Sequence, residues 1–126
     1  MELILDKIDP KREAFDHYLY QDAAYLINIK EEDTMFFVKD VTRFKNRDVK
    51  RSLLVDPDPT SFLIAPDNGL PGSEYTAEFE MPKEYTDDYL KELAAELEHL
   101  AGERDVRKYL TEAYEIKTLL KNSKLI

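Results

Sequence analysis

The chain has 126 residues, and its 18 basic and 27 acidic side chains give it a net charge of −9. A chain of this length supports one hydrophobic core, so a single domain over residues 1–126 is expected. The sequence contains no cysteine, which excludes a disulfide scaffold, a cysteine-ligated zinc site and a thiol nucleophile. The acidic balance also disfavours binding to nucleic acid or anionic lipid through the whole surface.

The location is predicted from what the sequence does not contain. The first residues show no basic region followed by an apolar run of signal-peptide length, as a secretory leader would require. No stretch approaches the 18 or so apolar residues that a membrane span needs. These features predict a cytoplasmic protein without a membrane partner.

The N-terminal segment predicts a strand followed by a helix. Residues 3–5 and Ile8 form a short apolar run that is closed by Asp9 and Pro10. Aspartate is a good N-cap and proline suits the first helical position, so a helix is predicted to begin there. Its weakly amphipathic stripe begins at Phe15.

The middle of the chain predicts antiparallel β-structure. Residues 23–29 either extend the first helix or form a strand, since their pattern fits both. A polar turn at residues 30–33 precedes an apolar, β-rich run at residues 34–38, which predicts a strand. Further strands are predicted at residues 52–55, 61–65 and 74–81.

Two proline-containing segments interrupt these strands. Residues 56–59 read Asp-Pro-Asp-Pro and residues 66–72 contain two prolines and two glycines, so both are predicted to be loops. In the following strand, residues 74–81, apolar side chains alternate with glutamates and one threonine. This alternation predicts one buried face and one row of carboxylates.

The C-terminal segment predicts two amphipathic helices. Thr86 is the predicted N-cap of the first helix, and Gly102 the residue that ends it. The second helix carries an apolar stripe from Val106 to Leu120. The predicted fold is therefore α+β: an antiparallel sheet of about five strands with an N-terminal helix and a C-terminal two-helix hairpin packed on it.

The acidic side chains suggest a function. Residues 52–105 hold 14 acids and three bases, a surface that would steer a basic partner toward it. The leading hypothesis is a small acidic protein-binding module, such as an adaptor, inhibitor or immunity-like factor, that docks on a basic protein and is not an enzyme. The predicted partner-binding residues are Glu74, Glu78, Glu80, Tyr85, Asp88, Glu92, Glu96 and Tyr114.

A basic segment provides the main alternative. Residues 39–51 hold six bases and two acids, and basic residues mixed with an aromatic side chain are typical of single-stranded nucleic-acid contacts. Pairing of this segment with the protein's own acids, or with a second copy of the chain, is favoured because the net charge repels nucleic acid. Tyr114 and Leu119 lie off the main apolar face of the last helix, which predicts a homodimer through the C-terminal helices. The candidate nucleic-acid contacts are Arg43, Phe44, Lys45, Arg47, Lys50 and Arg51.

One spacing resembles that of a calcium loop but does not meet its requirements. Asp56, Asp58, Thr60 and Asp67 occupy positions 1, 3, 5 and 12 of such a loop. The loop needs glycine at position 6, where this chain has Ser61, and a bidentate glutamate at position 12. No metal site is therefore predicted.

No catalytic residue is assigned from the sequence. His17 and His99 are the only histidines, and both fall on polar faces without an evident partner for acid–base work. The neighbouring carboxylates Glu78 and Glu80 are explained by the strand alternation. No cofactor is predicted, and an enzyme with an unrecognised site is the third hypothesis.

Overall fold

The computed structural model describes residues 2–30, 32–74 and 87–126. Helices and strands are both present, and short 3-10 turns fill several connections. In chain order the elements are α1 (Glu2–Ile8), β1 (Tyr25–Ile29), β2 (Thr34–Val38), β3 (Leu54–Asp56), β4 (Gly69–Pro71), α2 (Tyr89–Ala101), α3 (Val106–Tyr114) and α4 (Ile116–Asn122).

The strands form two small sheets, each of two strands. β1 and β2 are an antiparallel hairpin in which Tyr25 lies opposite Val38. β3 and β4 are parallel, with Leu54 opposite Gly69. The prediction of one antiparallel sheet of about five strands is therefore wrong, although the strand at residues 34–38 is confirmed.

Local hydrogen bonds explain why one predicted strand is absent. The sequence predicts an extended segment from residue 61 to 65, but a 3-10 turn spans Pro59–Phe62. Asp58 accepts a hydrogen bond from the amide of Thr60, and Pro59 fixes the first position of the turn. An aspartate cap followed by proline favours this geometry over a strand. Most of the predicted strand at residues 74–81 lies outside the described residues.

The N-terminal segment also differs from its prediction. α1 replaces the expected strand, and no helix begins at Asp9. The carboxylate of Asp9 instead accepts hydrogen bonds from the amides of Glu13 and Ala14, at 3.0 and 3.2 Å, and from the Tyr18 hydroxyl at 2.7 Å. These bonds, the Tyr18 bond first among them, hold the pKa of Asp9 below its ordinary value. The side chain organises a loop rather than a helix.

The C-terminal helices match their prediction in part. α2 ends at Ala101, before Gly102, as expected. The predicted second helix is interrupted at Glu115, whose φ of 48° is left-handed and separates α3 from α4. Asp88 is the N-cap residue of α2, while the predicted cap, Thr86, lies outside the described residues.

The core lies between β3, β4 and the C-terminal helices. Gly69 marks its tightest point, because a Cβ there would lie 2.7 Å from side-chain carbons of Phe62 and Ile116. Only glycine leaves room for this packing. Within the described residues, no helix is long and apolar enough to cross a bilayer. The buried clusters consist of Leu70, Leu100, Val106 and Leu110, and of Phe62, Ile116 and Leu120.

Candidate functional site

A buried carboxylate at the end of β3 forms an ion pair. Asp56 is the last residue of β3, and its side chain is 7% exposed. Its Oδ2 accepts a hydrogen bond from Nζ of Lys39, whose own side chain is half exposed. A charge buried to this degree requires a partner. Lys39 is therefore held at this position by Asp56.

A repeated Asp-Pro sequence shapes the loop that follows. Oδ1 of Asp56 accepts a hydrogen bond from the amide of Asp58 at 2.9 Å. Oδ1 of Asp58 accepts from the amide and the hydroxyl of Thr60, at 2.9 and 2.8 Å. Pro57 and Pro59 have no amide hydrogen, so each aspartate bonds to the residue after the proline. Two consecutive turns thus fix the backbone beside the ion pair.

The end of β2 is tied to the same loop. The backbone amide of Lys39 donates to the carbonyl of Ser61 at 3.1 Å. Lys39 directly follows Val38, the fully buried last residue of β2. One backbone bond and one ion pair therefore bring the ends of β2 and β3 together, although they lie far apart in the chain.

A pocket of about 750 Å³ opens at this junction. Its apolar lining comes from the segment before β1, from β2 and the turn after it, and from β3. In open sheets with parallel strands, ligands bind outside the carboxyl ends of the strands, and Asp56 stands at such an end. Its charged and hydroxyl-bearing lining residues are Tyr20, Lys39, Asp40, Asp56, Asp58 and Ser61.

Lys39 supplies a cationic group to the pocket, whose other charged lining residues are three aspartates. A lysine ammonium has three donors and binds phosphate as a point charge. Both oxygens of Asp56 already accept hydrogen bonds, whereas Oδ2 of Asp58 accepts none among the described residues. The described part of the chain contains no group of three or more histidine, aspartate or glutamate side chains arranged to hold a metal ion.

The residues singled out for metal or acid–base chemistry do not converge here. Asp67 accepts a 3.3 Å hydrogen bond from Thr111 and does not line the pocket. His99 lies 3.9 Å from Glu103, and His17 is exposed. Of the calcium-like set, the structure brings only Asp56 and Asp58 into the pocket.

Glu96 and Tyr114, both predicted to bind a partner, contact each other instead. Oε1 of Glu96 accepts hydrogen bonds from the hydroxyl of Tyr114 and, at 3.3 Å, from that of Tyr109. Burial, and then the bond to Glu96, raise the pKa of Tyr114 above its ordinary value. Burial is also the main cause that raises the pKa of Tyr109. This contact joins α2 to α3.

The other predicted partner-binding residues do not form one cluster within the described chain. Asp88 contacts Lys91 at 3.0 Å, and Glu92 is exposed one turn further along α2. Glu74 is exposed in the loop after β4. Glu78, Glu80 and Tyr85 lie outside the described residues. Partner binding by this set stays a prediction.

The basic segment contacts the rest of the protein through the ion pair of Lys39 with Asp56 and through two further cations. The guanidinium of Arg43 lies 4.7 Å from the ring centre of Tyr25. Arg51 donates to the carbonyls of Ala101, at 3.0 Å, and of Glu103. Phe44 lines the pocket. Lys45, Arg47 and Lys50 are exposed, and nucleic-acid binding by this segment stays a prediction.

The comparison with known families decides the class of protein. The family described as NLI interacting factor-like phosphatase matches residues 1–107, which include the whole pocket and ion pair. The chain belongs to the NLI interacting factor-like phosphatase family. This membership contradicts the expected acidic binding module and the expectation that the chain is not an enzyme.

A curated relative adds a second comparison. The chain is 33% identical over 103 residues to the mitochondrial import inner membrane translocase subunit TIM50 of Phytophthora infestans. The match covers 82% of this chain and 22% of that protein, so the chain spans about a fifth of the relative's length. The relative is named for the mitochondrial inner membrane, which contradicts the predicted cytoplasmic location.

Proposed function

We propose that this protein hydrolyses phosphate monoesters in the pocket beside Lys39 and Asp56. One observation carries the proposal: a lysine ammonium is fixed by a buried carboxylate on the wall of a pocket of about 750 Å³. The match to a phosphatase family over residues 1–107 supports the same chemistry.

Lys39 binds the phosphate group in this proposal. Its ammonium offsets the negative charge that spreads over the phosphoryl oxygens in the transition state. Asp56 acts through Lys39, because its ion pair holds the ammonium in place before the substrate arrives. Such preorganisation costs no rearrangement during the reaction. Asp56 is thus a positioning residue.

Asp58 accepts the proton of the attacking water. Its side chain lines the pocket, and its Oδ2 accepts no hydrogen bond among the described residues. Water forms the new bond to phosphorus while the bond from phosphorus to the ester oxygen breaks. The ester oxygen takes a proton from solvent and leaves as the alcohol, Asp58 releases its proton to solvent, and inorganic phosphate is the second product. General-base assistance of this kind contributes roughly 10²–10⁴-fold to the rate.

The test is phosphate release from 4-nitrophenyl phosphate by the full chain. Lys39→Met is expected to lower kcat/KM by roughly 100-fold, the scale of losing one charge-stabilising donor. Asp58→Asn is expected to lower kcat more than it raises KM, because it removes the base and leaves the binding cation. Lys45→Met is the matched control, since Lys45 is an exposed lysine of the same segment that does not line the pocket.

A double variant separates positioning from folding. Lys39→Met alone leaves Asp56 buried without its partner, whereas Lys39→Met with Asp56→Asn replaces the pair by neutral side chains. The double variant is expected to be folded and no less active than Lys39→Met, because effects that share one route are not additive. If the wild-type protein releases no phosphate, the proposal is refuted. It is also refuted if Lys45→Met lowers kcat/KM as much as Lys39→Met does.

A second proposal concerns location. We infer that the protein works in mitochondria, at or near the inner membrane, as the name of its relative says of that protein. Exposed apolar side chains on the β1–β2 hairpin, Leu26 at 55% and Met35 at 62%, support a role beside other proteins. Fractionation of cells that express the tagged full chain tests this, and recovery only in the cytosol would contradict it.

A further inference from the structure

Aromatic side chains remain exposed around the pocket that contains Lys39. Phe44 is 49% exposed, Tyr20 45% and Phe37 38%, and all three line the pocket. Single exposed apolar residues are ordinary, but several around one concave site mark a binding surface. The pocket therefore offers more apolar surface than a phosphate group alone would use.

These aromatic residues and the cation are held by the same structure. Phe37 belongs to β2, Lys39 follows that strand, and Phe44 follows the 3-10 turn Val41–Arg43. Asp40 caps this turn by accepting a hydrogen bond from the amide of Thr42 at 2.9 Å. The backbone that places the phosphate-binding ammonium thus also places the aromatic lining.

We propose that the pocket selects phosphate monoesters of aromatic alcohols, with Phe44 and Tyr20 as specificity-determining residues. This inference rests on the proposed function and names its substrate class. A pocket of about 750 Å³ lies in the range of small-molecule sites, roughly 300–1,000 Å³. A bare phosphate would leave most of that volume to water against apolar walls, whereas an aromatic ring would replace this water.

Three small ligands separate the contributions of the ring and the phosphate. Benzyl phosphate carries both groups, ethyl phosphate lacks the ring and benzyl alcohol lacks the phosphate. Benzyl and ethyl phosphate both release a primary alcohol, so their intrinsic reactivities are similar. Burial of the ring is expected to make benzyl phosphate bind roughly 10- to 100-fold more tightly than ethyl phosphate.

The experiment is titration calorimetry of the full chain with each ligand, together with phosphate release from the two esters. Phe44→Ala is expected to reduce the preference for benzyl over ethyl phosphate to about threefold or less, since the ring loses one aromatic contact. Leu119→Ala is the control, because Leu119 is similarly exposed, at 47%, on α4 and does not line the pocket. It should leave the preference unchanged.

The outcomes distinguish this inference from the proposed function. Equal binding and turnover of benzyl and ethyl phosphate would overturn the aromatic preference and leave hydrolysis standing. Benzyl alcohol that binds as tightly as benzyl phosphate would overturn the inference, because Lys39 would then contribute nothing. If the protein neither binds nor hydrolyses either ester, the proposed function itself is refuted. A preference that survives in Phe44→Ala would reject Phe44 as its determinant.

Discussion

The two halves of the molecule differ in how many of their apolar side chains are buried. Between residues 49 and 126, seven hydrophobic residues of the described chain are buried and four large ones are exposed. Between residues 2 and 44, three are buried and twelve are exposed. The C-terminal half therefore provides most of the described core. The N-terminal half supplies exposed surface and much of the pocket lining.

The difference follows from what the elements pack against. α2, α3 and α4 cover β4 and the turns around it, so their apolar stripes meet other apolar residues. The β1–β2 hairpin has only Val38 fully buried among its ten residues. A two-stranded hairpin has too little surface to bury by itself. We infer that the C-terminal half carries stability and that the N-terminal half carries recognition.

The largest expected effect contrasts one substitution in the two halves. Leu110→Ala removes a side chain that is 1% exposed and should lower the free energy of unfolding by about 2–5 kcal/mol. Leu26→Ala removes one that is 55% exposed and should cost less than about 1 kcal/mol. Urea denaturation measures both. Similar losses would refute the division of the molecule into these two roles.

The next effect tests the tight packing at Gly69. In Gly69→Ala the new Cβ would lie 2.7 Å from carbons of Phe62 and Ile116, so the core must shift. Overpacking of this kind costs about 1–3 kcal/mol. Gly102→Ala is a control with more room, since the nearest atom to its Cβ lies at 3.5 Å. Unchanged thermal stability in Gly69→Ala would show that this part of the core is looser than described.

A smaller and opposite effect is expected at Glu115. Its φ of 48° is unfavourable for a residue with a Cβ and easily adopted by glycine. Glu115→Gly should therefore raise the free energy of unfolding by about 0.5–1 kcal/mol and leave the break between α3 and α4 in place. Denaturation together with helical content from circular dichroism measures this. A fall in stability would indicate that the Glu115 side chain makes a stabilising contact.

The smallest effect concerns acid stability and compares one aspartate from each half. The hydrogen bond from the Arg107 side chain lowers the pKa of Asp105 to about 2. A folded pKa below the unfolded value of about 4 stabilises the protein above that pH, and the contribution disappears as the pH falls toward 2. Asp105→Asn should flatten the loss of stability between about pH 4 and 2, measured by denaturation across that range.

Asp9 provides the N-terminal counterpart. Its pKa is also lowered, chiefly by the Tyr18 hydroxyl, so its contribution too is lost on acidification. Because Asp9 organises only a loop, Asp9→Asn should speed hydrogen exchange at Glu13 and Ala14 and leave global unfolding unchanged. A global acid effect equal to that of Asp105→Asn would contradict the comparison.

The helix α2 is the most predictable element of the fold, whereas α1 lies where a strand is predicted. The 3.6-residue period of α2 and the glycine after it identify that helix from sequence alone, because the backbone hydrogen bonds of a helix join residues close together in the chain. The sheet was not predictable in this way. β3 and β4 are parallel strands of three residues each. A strand of three residues is too short to show a periodic pattern, and nothing in its sequence indicates which later segment pairs with it. The segment at residues 61–65 differs from its predicted strand because the cap at Asp58 and the proline after it favour a 3-10 turn over an extended backbone.

The sequence indicates residues of the candidate site separately but does not indicate that they lie together. Lys39 belongs to the basic segment and Asp56 to a failed calcium-like spacing, and no sequence pattern joins residues this far apart. One signal could have helped: an aspartate directly after an apolar run marks the carboxyl end of a buried strand, where ligands bind. Which cation faces that aspartate depends on tertiary structure, here the bond from the Lys39 amide to Ser61.

Mapping the site where phosphate binds tests the roles of Lys39 and Asp58 most directly. Titration of the isotopically labelled full chain with inorganic phosphate, followed by NMR, reports every amide and the lysine side chains. We expect the largest shifts at Lys39, Asp56, Asp58 and Ser61, and we expect them to vanish in Lys39→Met. Shifts centred on Arg43, Lys45 and Arg47, or no saturable shifts, would contradict this expectation.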